Sequence, residues 1–287
     1  MKTKYNHRTT GKFEEGCNNE DYALAHEGMI AVSDGAGGGG LFAEKWSRYL
    51  LKKLPHAPIE SADDLDGWIG GIWEMFYNSC EQEAKRLGGI SLDKFYDEGS
   101  FATLVAAWWT ANDSCRWMDY GDSVAFHYNR ATGRLEHSFG RLGDFDEPPY
   151  LINCKDELRK EGFRAGVFRT GGESVVFAAS DALSHYIMMM YAASRRDEFA
   201  DELSEAIGHH SKNENYIKAA LGLGKIDFEK DVLEKLMHCI HSRPAFLKYL
   251  RGLERQGLLA HDDYSLALMY PKRVRTSPAA VADGMME

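Results

Sequence analysis

Residues 29–46 read MIAVSDGAGGGGLFAEKW. A short apolar run ends in Asp34, six residues follow that are glycine except for Ala36, and a helical apolar pattern then begins. Glycine between a strand and a helix frees backbone N–H groups to cradle phosphate, so the stretch invites a nucleotide-binding reading. Gly35, Gly37 and Gly40 match G-x-G-x-x-G. That fingerprint needs a second parallel strand ending in an acidic residue about 20 positions on. Glu60 stands at that distance, but in the polar segment HAPIESADDLDGW (56–68), which leads into another helix. The dinucleotide reading fails on its context, and the question becomes why an aspartate stands before the glycines.

Working outward, GMIAVS (28–33) reads as a buried strand and LFAEKWSRYLLKKL (41–54) as a helix stopped by Pro55. Residues 63–87 read as one longer helix despite Gly67, Gly70 and Gly71, ending at Gly88–Gly89. A β-rich block follows: SFATLVAAWWT (100–110), SCRWMDYG (114–121) and SVAFHYNRATGRLEHS (123–138), with turns at 111–113 and 131–133. After a loop holding Pro148–Pro149 comes SVVFAAS (174–180), a second strongly apolar strand closed by an aspartate, Asp181. Residues 182–256 are mostly helical, broken near Gly208, Gly222–Gly224 and Pro244, and YSLALMY (264–270) is the last strand. The pattern predicts one α+β domain over 1–270, with antiparallel sheets, helices outside and a helical insertion before the last strand. The small-residue tail 271–287 is expected to be disordered.

Composition narrows the function. The net charge of −10 over 287 residues argues against a nucleic-acid backbone as partner. There is no apolar run near the ~20 residues of a membrane span, and the polar start MKTKYNHRTTGKFEEG lacks the apolar core of a secretory signal. Five widely spaced cysteines, none in a CxxC pair, fit a reduced, cytoplasmic setting. Clustered carboxylates, by contrast, are what a hard divalent cation needs.

The acids sit at strand ends: Glu20 and Asp21 one hairpin upstream of Asp34, Asp122 between two β segments, Asp181 after an apolar strand, and Asp262 and Asp263 before the last strand. A lone aspartate in such a place is ordinarily a turn or cap residue. The joint order lifts the set: N-E-D, S-D-G-x-G-G, G-S-x-A-T, G-D-S, A-S-D, then D-D-x-S. Together NNEDYA, AVSDGAGG, GSFATLVAAW, YGDSVAFHY, FAASDALSHYI and DDYSLALMY resemble, in order, the motifs of the metal-dependent type-2C serine/threonine protein phosphatases, the PPM family, from about Asn18 to Tyr270.

The resemblance implies a β-sandwich of two antiparallel sheets flanked by helix pairs and a binuclear Mn²⁺ or Mg²⁺ centre. Asp34 would bridge the ions and the Gly35 carbonyl would ligate one. Asp181 and Asp262 would bind the other, Glu20 and Asp21 would act on the first directly or through water, and Asp122 would serve a third, weaker ion. Asp34, Asp181 and Asp262 would thus be the catalytic set, activating water for attack on a phosphoserine or phosphothreonine protein. The implied enzyme is a monomeric cytoplasmic signalling phosphatase with a cognate kinase, acting on neither nucleic acid nor membranes. A pseudophosphatase that binds a phosphoprotein or kinase is the alternative, and a hydrolase of small phosphoesters would share the same site.

Four departures bear on that choice. Ala36 stands where many members carry a histidine proposed as general acid, a change common in bacterial members. Gly16 stands where members commonly carry a phosphate-gripping arginine, and the nearest upstream bases are Lys12 and Arg8. Ala182 replaces a glycine, and Asp263 an asparagine, which leaves the roles of Asp262 and Asp263 open. His209, His210, His238 and His241 read as surface or partly buried side chains, with no complete ligand set.

Overall fold

In the computed structural model, residues 2–14, 16–38, 40–111, 113–208 and 211–272 are described. His209, His210 and the tail beyond Lys272 lie outside the described residues.

The apolar run at 29–33 forms β3 (Met29–Ser33). Its side chains alternate between faces, as a strand demands. Ile30 and Val32 point into an inter-sheet core, whereas Met29 and Ala31 pack on the other side against Trp46, Leu50 and Leu51 of α1 (Ala43–Lys53). Both faces are buried, so the run is continuously apolar rather than alternating. The same holds for β11 (Ser174–Ala179), where Val176 and Ala178 face inward and Val175, Phe177 and Ala179 outward, and for β12 (Tyr264–Pro271).

Two five-stranded antiparallel sheets result. With β1 (Thr3–Thr10), β2 (Tyr22–His26), β5 (Leu104–Ala111), β6 (Ser114–Tyr120), β7 (Val124–Asn129), β8 (Arg134–His137) and β10 (Phe163–Arg169), their orders are β1-β12-β11-β7-β8 and β10-β6-β5-β3-β2. A two-stranded pair joins β4 (Phe101–Ala102) to β9 (Ile152–Asn153). The core between the sheets is rich in small residues, including Ala23, Ala107, Ala125 and Ala267. α1 to α4 cover one sheet: α2 is Ala62–Gly70, α3 Trp73–Leu87 and α4 Gly89–Glu98. α5 to α9 cover the other: α5 is Asp181–Ser194, α6 Ala200–Gly208, α7 Glu214–Gly222, α8 Glu234–Cys239 and α9 Arg243–Arg255. The four-layer sandwich is the one the motif resemblance implies.

Three details differ from the sequence reading. The helix expected over 63–87 breaks at Gly70–Gly71, where glycine weakens a helix most, and the break lets Ile69 and Phe76 both enter the core. The strand expected over 100–110 is interrupted at Thr103, because β4 leaves the sheet to pair with β9 while β5 pairs with β3. Four elements carried no clear signal: β1, β9, β10 and α4.

α5 is buried from Ala182 to Ala193, consistent with an apolar character all round. It still carries His185, 5% exposed, whose Nε2 has no hydrogen-bond partner and whose ring packs edge-on against Phe145 at 5.4 Å. Burial pushes its pKa down to about 4. A neutral buried histidine that must charge on unfolding makes the unfolded state bind more protons between pH 6.5 and 4, so stability falls as pH drops through that window. The expected loss is roughly 3 kcal/mol. It is read as the difference in unfolding free energy between wild type and His185→Gln, in which the carboxylate contributions common to both cancel. Parallel stability–pH curves for the two proteins would refute this account of His185.

Candidate metal centre

The glycine loop is stitched to the interruption at Thr103. Thr103 N–H donates to the Asp34 carbonyl at 2.8 Å and Ala36 N–H to the Phe101 carbonyl at 3.0 Å. These bonds flank Gly35, which stands opposite Ala102 in an antiparallel bridge. The N–H and C=O of Gly35 are therefore directed away from β4. Asp34 N–H donates to Thr103 Oγ1 at 3.1 Å, Ser33 Oγ donates to the Thr103 carbonyl at 2.6 Å, and Thr103 Oγ1 and Ser123 Oγ share a hydrogen bond of 2.7 Å. Gly121 makes this approach possible: its φ is +114°, and a Cβ there would stand 2.7 Å from Thr103 Cγ2. Three separate motifs thus meet through Thr103 and fix the Asp34 backbone.

Gly35 itself is packed against backbone. An added Cβ would meet the Glu20 carbonyl oxygen at 2.7 Å and that of Ala43 at 2.8 Å. Gly37 lies over the Glu20 carboxylate, to which its N–H donates at 3.1 Å. Two glycines of the loop are therefore required by the closeness of the N-E-D segment.

The carboxylates share one field. Burial, followed by the charges of Asp21, Asp181 and Asp122, drives the Asp34 carboxyl far above its ordinary range. Asp181, the first residue of α5, is raised by burial and then by Asp122, Asp262 and Asp21. Burial pushes Asp122 to about 6 and raises Asp262 and Glu20, with neighbouring acids adding to it. Asp21 is 4% exposed, is pushed by burial to about 7, and neither carboxylate oxygen has a hydrogen-bond partner. The Asp34 carboxyl and the hydroxyls of Ser180 and Ser265 lie near it. Ser265 Oγ donates to Thr9 Oγ1 at 2.8 Å, whereas Ser180 Oγ, which accepts from Ser265 N–H at 2.9 Å, keeps its own proton free. A buried carboxylate with no hydrogen bond formed and several acidic neighbours fits a hard cation better than it fits an empty interior. As they stand, no three His, Cys, Asp or Glu side chains among the described residues are grouped tightly enough to enclose one ion.

Asp262 and Asp263 separate in role. Asp263 is 4% exposed and turns both oxygens to backbone, accepting from Lys12 N–H at 2.8 Å and Glu20 N–H at 2.6 Å. It ties the segment after β1 to the N-E-D turn, whereas Asp262 faces the charges of Asp122 and Asp181. Sequence patterns carry no hint of Asp119, fully buried and in the field of Asp122, where Arg164 Nη2 donates to its Oδ1 at 2.6 Å and Ser138 Oγ to its Oδ2 at 2.6 Å. Of the histidines singled out, His241 bonds Asn6 through Nδ1 at 3.0 Å and His238 lines a cleft among the outer helices.

The catalytic domain of the serine/threonine protein phosphatase PstP in complex with two manganese ions is similar with a TM-score of 0.51 at 16% identity, over 94% of this chain and 98% of that one. This is the type-2C phosphatase fold. PstP/Ppp of Mycobacterium tuberculosis gives 0.53 at 15% identity over 95% and 100% of the two chains. The phosphatase Stp1 of Staphylococcus aureus gives 0.50 at 16% over 94% and 95%. No family model and no curated protein matches the chain. No described helix of this type-2C fold is long and apolar enough to cross a membrane.

Proposed function

We propose that the chain is a metal-dependent serine/threonine phosphoprotein phosphatase that hydrolyses phosphomonoesters. The observation that carries the reading is the buried, unpartnered Asp21 carboxylate in the shared field of Asp34, Asp122, Asp181 and Asp262. In this reading Asp34 would serve two ions and the outward-turned Gly35 carbonyl one of them. Asp181 and Asp262 would hold the second ion, Glu20 and Asp21 would act on the first, and Asp122 would belong to a third. Mn²⁺ or Mg²⁺ bound there supplies Lewis acidity, which lowers the pKa of water and offsets negative charge on phosphoryl oxygens. The protein's own part is positioning: Thr103 and Ser123 hold the Asp34 segment, and Asp263 holds the N-E-D turn. Ala36 has no proton to give a leaving oxygen.

The test is Mn²⁺-stimulated release of p-nitrophenol from p-nitrophenyl phosphate and of phosphate from phosphothreonine peptides, both lost on chelation. No turnover at saturating Mn²⁺ on several phosphopeptides would count against the reading. Gly16 and Ala36 motivate the second reading, a catalytically weak or inactive relative that binds a phosphoprotein or kinase. That protein would lack a two-ion isotherm with Mn²⁺ in calorimetry.

A further inference from the structure

Gly16 leaves open which cation meets the phosphate group of the substrate. Four basic residues stand near the N-E-D turn or the G-D-S turn, and they are held differently. Lys212, exposed and in the field of Asp122, makes no side-chain hydrogen bond or ion pair among the described residues, but its segment is tied to Asp146 through Asn213 Nδ2 at 3.2 Å rather than to the N-E-D turn. Arg8 is spent on the outer helices, where Nε and Nη2 donate to the Ile240 carbonyl at 3.2 and 3.1 Å. Arg164 is spent inward: Nη2 donates to Asp119 and to the Gly121 carbonyl, and its guanidinium lies 4.9 Å from the Phe139 ring centre. Lys12 differs. Its side chain makes no hydrogen bond or ion pair among the described residues, yet its backbone N–H is fixed by Asp263 at 2.8 Å. Asp263 also fixes Glu20, so Lys12 and the N-E-D turn are held in register by one carboxylate.

The segment around Lys12 is anchored on both sides. Gly11 lies against Asn19, with a Cβ there only 3.3 Å from Asn19 Cβ. Phe13 packs on Tyr264 with ring centres 5.8 Å apart and is covered by Arg251 at 4.7 Å. Glu14 meets His261 at 3.2 Å. The ammonium of Lys12 lies in the field of Asp262, Asp263 and Glu20, the border of the carboxylate cluster. It is a cation held at the cluster's edge with its donors free, and a compact ammonium is a sound partner for a phosphate oxygen.

We infer that Lys12 binds the phosphate group of the substrate in this chain, in the place left by Gly16; the inference rests on the phosphatase reading above. Lys12 then acts in binding, and its loss is felt more in KM than in kcat.

The test titrates inorganic phosphate into Mn²⁺-loaded full-length protein by calorimetry. Lys12→Met is expected to weaken phosphate binding about tenfold or more, and Lys12→Arg to keep it within about threefold of wild type. Mn²⁺ affinity and thermal midpoint should stay near wild type in both. With p-nitrophenyl phosphate, KM of Lys12→Met should rise by the same factor while kcat falls less than about threefold. Equal phosphate affinities in wild type and Lys12→Met overturn the inference, as does a loss seen only with Lys212→Met. A wild type that binds phosphate through Lys12 but turns over no phosphoester supports the inference while sinking the phosphatase reading.

Discussion

Replacing Asp34 by asparagine is expected to abolish turnover and at the same time to stabilise the metal-free protein. The activity should fall by roughly a thousandfold or more, because the residue proposed to serve both ions is lost. The stability gain follows from the charges. The folded-state pKa of Asp34 lies well above its ordinary value, owing first to burial and then to Asp21, Asp181 and Asp122. Its ionised form is therefore disfavoured in the fold. Stability linked to this group is fully present below the ordinary pKa and is lost as pH rises through the folded one. At pH 7.5 without divalent cations, Asp34→Asn should melt a few degrees above wild type, since each kcal/mol moves the midpoint of a chain this long by about 2–4 °C. Adding Mn²⁺ should reverse the order, raising wild type by mass action and leaving Asp34→Asn nearly unmoved. Scanning calorimetry with and without Mn²⁺ checks both halves. A variant that melts below wild type in chelator would show that Asp34 is held by something other than its acidic neighbours.

Gly35→Ala is expected to damage the site through backbone rather than charge. The new methyl would stand 2.7 Å from the Glu20 carbonyl oxygen and 2.8 Å from that of Ala43. Neither neighbour is the end of a flexible side chain, so the N-E-D turn or the start of α1 must move. Overpacking of this kind costs about 1–3 kcal/mol. A shift of about 1 Å in groups that must act together costs about a hundredfold in rate. Mn²⁺ affinity should fall with it. Gly38→Ala is the control: nothing lies within 4 Å of a Cβ there, so its thermal midpoint should stay at the wild-type value. Equal thermal midpoints and Mn²⁺ affinities in wild type and Gly35→Ala would remove the steric account of the loop.

These two predictions rest on the parts of the fold that were most legible. β3, β11 and β12 are covered on both faces, so each is a continuous apolar run that stands out in the sequence, and the acids beside them mark where the strands end. The order of the six motifs then carried the fold. Elements without an apolar signature were hidden. β1 is the polar edge strand TKYNHRTT, and only its ladder with β12, from Thr3 opposite Pro271 to Thr10 opposite Tyr264, makes it a strand. Its consequence for the site was hidden with it: Lys12 and Asp263 are far apart in sequence, yet one carboxylate joins the end of this edge to the N-E-D turn. The Asp119–Arg164 pair was likewise invisible, because β10 is an edge strand whose register on β6 sets Arg164 opposite Asp119. Pairings across such distances are decided by strand register, which no local pattern encodes.

Asp34 is proposed to gather divalent cations in this cluster, and anomalous diffraction from a crystal soaked in Mn²⁺ would show them. Two strong peaks are expected in contact with the Asp34 carboxylate, one of them also at Asp181 and Asp262. Well-ordered crystals with no anomalous peak at Asp34, or with Mn²⁺ bound only elsewhere, would contradict it.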